Sequence, residues 1–277
     1  GIRDSPSPKP RQTNRVDPTR STSYMKMIPV VDVASGMAVT CGHDEDGNDA
    51  SIQFKRVSCL TIEGTNRSGE VGRTFALIAA LESSPDVNLR IIDCKRTSQF
   101  SAFSSSAYSY TCLTDGIDLV LDEIQGAYTA LNVRLRKLRK IGVAGYWDDP
   151  NHGGLPLDVV FIHGCEDLFA GSANADDSIA QQQLADILRY LRDIVKKGVD
   201  AGCCVVLSSQ NPSDKAFPEM LVELAQTRIL YRIERENQVR AFLSGLDIDI
   251  VRRASQLAMP IGERDYGTAY VVSEAGI

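Results

Sequence analysis

From residue 57 onward the chain alternates short apolar runs with longer amphipathic ones. Val57 to Ile62, "LRIIDC" (89–94), "LDVVFIH" (157–163) and "CCVVLSS" (203–209) are apolar stretches of strand length. Between them lie residues 70–81, "LTDGIDLVLDEIQGAYTALNVRLRKLRKIG" (113–142) and "SIAQQQLADILRYLRDIVKKG" (178–198), whose apolar residues recur at helical spacing. Apolar strands joined by amphipathic helices predict an α/β fold, a mainly parallel sheet with helices on both faces. "TRILYRI" (227–233) and "GTAYVV" (267–272) extend that sheet in this reading. Ahead of residue 57, "MIPVVDV", "MAVTCG" and "ASIQF" are separated by the turn signals "ASG" and "HDEDGND", which predicts a short strand-rich lead-in.

The first strand-to-helix junction carries the candidate chemistry. "LTIEGTNRSGEVGRTFALIAAL" (60–81) leaves a strand, turns through a Gly-rich loop and continues as a helix, the layout of a phosphate-binding loop. Gly64 and Gly69, with Thr65, Asn66, Arg67 and Ser68 between them, have the spacing of G-x-x-x-x-G-K-[ST]. Glu70 and Val71 then stand where a nucleotide site needs a Lys for the phosphates and a hydroxyl for Mg²⁺. At about 4 Å and an effective dielectric near ~20, an anion in that place turns roughly 4 kcal/mol of attraction to phosphate into comparable repulsion. A second register reads Gly72, Arg73 and Thr74 as a Lys-to-Arg version of G-K-T. It puts Arg67 where the loop needs its first Gly, so the first register is preferred.

In this order the chain resembles the FtsK/SpoIIIE/HerA group of P-loop motors, which includes DNA translocases and the EccC/EssC ATPases of type VII secretion. "GTNRSGEVGRTFALIAAL" is similar to the family's Walker A loop and helix, and "IIDCKRTSQFSAF" to its I-D-P-K segment. "LDVVFIHGCEDLFAG" resembles the Walker B strand, and "KKGVDAGCCVVLSSQNPS" the family's helix end, A-G turn, strand and T-Q-x-P-S tail. The likeness spans roughly residues 30–275. It implies a RecA-like P-loop NTPase domain over residues 28–277 behind a basic tail at 1–27, with ATP and Mg²⁺ as cofactors. A homo- or hetero-oligomeric ring, or tandem motor modules, is the implied assembly, with DNA or a secreted protein as the translocated partner.

The departures from the family pattern bear on hydrolysis. The Walker B acids correspond to His163 and Gly164, and Gly cannot act as a base. Glu166 lies too far along to replace the pair, and Asp167 matches a later family Asp with a capping or packing role. The Arg that reaches a neighbouring γ-phosphate corresponds to Val199, beside Lys196 and Lys197, while Gln210 keeps the sensor position. Joint loss of these groups implies a pseudo-ATPase subunit or module of a DNA-translocating ring. Two alternatives are a degenerate module of a type VII secretion ATPase that binds substrate-protein signals, and a weak ATPase working through Arg73 and Thr74.

Charge modifies this picture. The first 26 residues hold six cations against two acids, so with a formal net charge of −6 the tail carries +4 and the rest −10. An acidic body is unfavourable for a DNA channel, and the Ser-, Pro- and Arg-rich tail is expected to be a disordered linker. The seven cysteines form no C-x-x-C pair and read as small core hydrophobes, with no metal site expected. No apolar run reaches membrane-span length and the N-terminus lacks a signal-peptide core. A cytoplasmic protein or a cytoplasmic part of a membrane-anchored parent is therefore expected.

Overall fold

A computed structural model describes residues 31–33, 36–44, 46–65, 68–95, 99–171, 176–210, 216–258 and 267–273. The 1–27 tail, Asn66 and Arg67 lie outside them. The lead-in is a three-stranded antiparallel sheet of β1 (Val31–Asp32), β2 (Ala38–His43) and β3 (Asp49–Gln53). The main sheet holds β4 (Cys59–Glu63), β5 (Val87–Asp93), β6 (Ser109–Cys112), β7 (Leu157–His163), β8 (Cys203–Ser209), β9 (Thr227–Leu230) and β10 (Tyr270–Ser273). Its order is β10-β9-β4-β8-β7-β5-β6, and every pairing is parallel except the antiparallel edge strand β10. The helices are α1 (Glu70–Ser83), α2 (Ile117–Lys140), α3 (Ser178–Ala201), α4 (Glu219–Leu224), α5 (Glu236–Phe242) and α6 (Ile248–Ala258).

The apolar strands are buried on both faces because successive side chains point to opposite sides. On β7, Val159 and Phe161 pack with Leu77, Ile78 and Leu81 of α1, whereas Val160 and Ile162 pack with Ile124 and Leu131 of α2 and Ile187 and Leu191 of α3. Val39, Phe54 and Met37 join the α1 side, which places the lead-in sheet there. Helices α4 to α6 add Leu221, Val239, Phe242 and Val251 to the α2/α3 side.

Several predicted boundaries move. The long helix is broken at Gly116 (φ +138°), which separates a 3₁₀ turn at Leu113–Asp115 from α2. The helix predicted to stop at Gly198 continues to Ala201 and ends at Gly202, in the left-handed region at φ +69°. Gly198 is needed for close packing instead: a Cβ there would sit 2.5 Å from the Cys203 carbonyl oxygen and 2.9 Å from Ser58 Cβ. In the basic run at the end of α2, Arg136, Lys137, Arg139 and Lys140 are solvated as expected. Arg134 is buried, donating from Nε to the Ala201 carbonyl at 2.8 Å and from a terminal nitrogen to Gly202 at 3.2 Å. It thereby ties α2 to the carbonyl end of α3, a role that complements the helix dipole. Strand β6 and helices α4 to α6 were not anticipated from the pattern.

Candidate functional site

The carboxyl ends of β4, β8, β7 and β5 lie side by side, the position where open parallel sheets bind ligands. The loop after β4 runs into α1. Gly64 is required there, since a Cβ would stand 2.5 Å from Ser68 Oγ and 2.7 Å from Tyr231 Cβ. Gly69 precedes the helix in the left-handed region (φ +89°). Several loop amides are already engaged: Gly64 donates to Ser209 O (3.3 Å), Thr65 to Arg232 O (2.9 Å) and Ser68 to Thr65 O (3.0 Å). The Thr65 hydroxyl donates to the same Arg232 carbonyl at 3.0 Å.

Glu70 does not face a phosphate position as an exposed anion. Its side chain is folded back into α1, 2% exposed, and Oε1 accepts a hydrogen bond from Thr74 Oγ1 at 3.0 Å. Burial pushes its carboxyl from 4.5 up to about 8, against the Thr74 hydrogen bond and with the Glu166 carboxylate adding to the rise. The charge repulsion expected from the sequence is therefore corrected: near neutral pH Glu70 is mostly protonated, and what the loop lacks is a cation. Val71 is half-buried and offers no hydroxyl.

For the second register, Thr74 is buried and committed to Glu70. Arg73 is exposed and turns toward the lead-in sheet, with a terminal nitrogen 3.5 Å from the Cys41 carbonyl and the guanidinium packed over Gly267. The two residues do not converge on one point.

At the end of β7, His163 is 3% exposed, with Nδ1 2.9 Å from Ser208 Oγ and its ring 4.7 Å from that of Phe100. Burial lowers its pKa, although Asp93 and Glu166 pull the other way, so the imidazole is neutral at physiological pH. Gly164 follows at φ +74°. The space a Cβ would take there is filled by Lys95, whose Cγ, Cε and Cδ lie 2.8, 2.9 and 3.1 Å from it.

Lys95 is the residue the sequence reading passed over. It leaves β5 beside β7, with the Cys94 amide bonded to the His163 carbonyl at 2.9 Å and its own amide to Asp93 Oδ1 at 3.0 Å. Its Nζ lies 2.5 Å from Glu166 Oε1 and 3.4 Å from Asp167 Oδ1. Burial works against the ammonium, but Glu166 and Asp167 outweigh it and raise the Lys95 pKa. Glu166 and Asp167 are thus partners of a lysine, a role neither the spacing nor the resemblance indicated. Behind them Glu63, at the end of β4, is 2% exposed and held well above the usual carboxylate range by burial, with the Glu166 charge adding to it.

Gln210 is half-buried at the end of β8, within the same row of strand ends. Val199, Lys196 and Lys197 lie at the opposite edge of the sheet, because the end of α3 meets the start of β7 through the Asp158 amide and the Gly202 carbonyl (2.9 Å). Lys197 Nζ stands 5.6 Å from the Tyr128 ring centroid, a packing contact. Among the described residues no group of three or more His, Cys, Asp or Glu is arranged to hold a metal ion. The free cysteines Cys59, Cys94, Cys165, Cys203 and Cys204 are buried in the core. No helix of the described residues is long and apolar enough to cross a membrane.

Solved structures share this fold. The cytoplasmic domain of the Thermomonospora curvata type VII secretion ATPase EccC superposes with a TM-score of 0.68 at 18% identity, over 88% of this chain and 28% of EccC. The chain has the fold of a translocation ATPase domain. EssC (ATPases 2 and 3) from Geobacillus thermodenitrificans gives a TM-score of 0.63 at 14% identity, over 89% of this chain and 44% of that one. The pCW3 conjugation coupling protein TcpA, solved as a monomer with ATPγS, gives 0.61 at 16% identity over 77% and 59%. The chain therefore spans from about a quarter to three-fifths of the length of these ATPase structures. No protein-family model and no curated protein matches the sequence.

The ATPase fold implies a nucleotide with Mg²⁺, and the residues present do not fit that pair. Where the resemblance puts the loop's cation stands a buried acid, where it puts the Walker B pair stand a neutral imidazole and a glycine, and the methylene chain of Lys95 lies over that glycine.

Proposed function

We propose that this chain is a non-hydrolysing module of an FtsK-type translocating assembly, contributing sheet and helix surfaces to a ring or tandem array of motor domains. The observation that carries this reading is Glu70, an acid turned into the first turn of α1 and bonded to Thr74 where the phosphate cation would stand. The alternative register gains little support, because Thr74 is spent on Glu70 and Arg73 points to Cys41. The test is equilibrium binding of a labelled ATP analogue with Mg²⁺, beside the variant Glu70→Lys, Val71→Ser. No saturation of the native chain up to millimolar nucleotide, with binding gained in the variant, is the expected pair of results. Micromolar binding by the native chain, lost on Arg73→Ala, would instead establish the shifted loop.

The "DCKR" and "QNPS" segments lean toward the DNA-translocase branch. One observation favours a second reading, a type VII secretion module with a protein partner: the body of the chain outside the tail carries −10. Phosphate-backbone binding releases counterions and weakens steeply with salt. Titration of duplex DNA at two ionic strengths separates the readings. A DNA module binds at low salt and loses affinity as salt rises; absence of binding at low salt moves the assignment to protein substrates.

A further inference from the structure

We propose that Lys95 is an internal stopper of the converted site: its methylene chain takes the volume above Gly164, and its ammonium, paired with Glu166 and Asp167, is withheld from phosphate anions at the carboxyl ends of β5 and β7. This rests on the non-hydrolysing reading and adds how the site is held closed. Three features of the geometry support it. Gly164 is the one residue type that leaves the Lys95 chain its path, since any Cβ would come within 3 Å of two of its carbons. The ammonium lies between a carboxylate that is 6% exposed and a second, half-exposed one, at 2.5 and 3.4 Å. The Lys95 backbone is also fixed at the end of β5, its amide bonded to Asp93 Oδ1 at 3.0 Å and the preceding Cys94 amide to the His163 carbonyl at 2.9 Å, so the side chain starts from a set point beside β7.

The charges explain why a stopper and not a phosphate ligand results. A lysine ammonium paired with two carboxylates is already neutralised, and an incoming polyphosphate would have to displace both and face them as like charges. Removing those two charges while keeping the lysine converts the same ammonium into an available cation at the carboxyl ends of β5 and β7. Lys95 is thus an anion ligand held out of use by Glu166 and Asp167.

The experiment is calorimetric titration of the full chain with sodium tripolyphosphate in the absence of Mg²⁺. The native chain is expected to show no binding at millimolar ligand. The variant Glu166→Gln, Asp167→Asn is expected to gain affinity roughly tenfold or more, and adding Lys95→Met to it is expected to abolish the gain. A folded double variant that gains nothing, or a gain that survives Lys95→Met, overturns the stopper while leaving the non-hydrolysing reading intact. Tight binding by the native chain overturns both. A measurement on the native chain alone guards against misfolded variants: amine acylation followed by mass spectrometry should label Lys95 at least roughly tenfold more slowly than the exposed Lys55. Equal rates would show that the pair does not hold the lysine.

Discussion

Lys95→Met will cost the domain about 3 kcal/mol of stability at neutral pH, read as a fall in the urea midpoint with an unchanged slope. The reason is the partner left behind. Glu166 is 6% exposed, and loss of one member of a buried ion pair leaves an uncompensated charge, typically a penalty of about 3–5 kcal/mol. The lower end applies because the Lys95 side chain is 24% exposed and water reaches the site from that side. Methionine keeps most of the chain volume over Gly164, so the measured loss is electrostatic more than a cavity effect. The same substitution made beside Glu166→Gln and Asp167→Asn should cost much less, because no buried charge is then left unpaired. An equal deficit in both backgrounds would assign the lysine a packing role only.

The sheet and its covering helices were legible in the sequence because burial on both faces writes itself as unbroken apolar runs: Leu157 to His163 was placed to the residue, and residues 70 and 178 were placed as helix starts. What was not legible had weak local signal. Strand β6 is only Ser109–Cys112 and half-buried, and α4 to α6 are short, formed by packing against the α2/α3 side. Gly198 read as a helix end because its real constraint, the Cys203 carbonyl and Ser58, comes from elements distant in sequence or beyond the next turn.

The candidate site was legible in outline and misread in its electrostatics. His163, Gly164 and Gln210 stand at the ends of the adjoining strands β7 and β8. Sequence spacing compared each position with a motif letter, so Gly164 registered only as a missing acid. The structure places a lysine from the neighbouring strand in the room that glycine leaves. A lysine directly after a buried strand, "IIDCK", was the available signal: its charge must leave the core toward one sheet edge, and the acids Glu166 and Asp167 lie on that edge. Likewise Glu70 carried a formal charge on paper that its burial removes near neutral pH.

That difference makes Glu70→Gln the second large effect, and its sign is set by protons. In the folded chain Glu70 releases its proton near pH 8, and in the unfolded chain near its ordinary 4.5. Between those values the folded state holds more protons than the unfolded state, so stability falls as pH rises; the contribution is full below about 4.5 and gone once the pH passes about 8. Glutamine keeps the acceptor for Thr74 Oγ1 and cannot ionise, so the variant should be about as stable as the native chain near pH 5 and more stable at pH 8.5. The gain at the upper end is on the order of 5 kcal/mol, since each pH unit between about 4.5 and about 8 is worth about 1.4 kcal/mol. Glu63 contributes a slope of the same sign, which the variant retains, so the pH profile flattens without becoming level. The buried thiols, whose pKa values are raised from 9.0, are common to both proteins, so their contribution cancels in the difference. Urea unfolding at several pH values in this window reads the effect directly. Equal stability of the two proteins at every pH would mean that Glu70 is ionised in the folded chain, and with it the expectation of a charge-repelled phosphate would return.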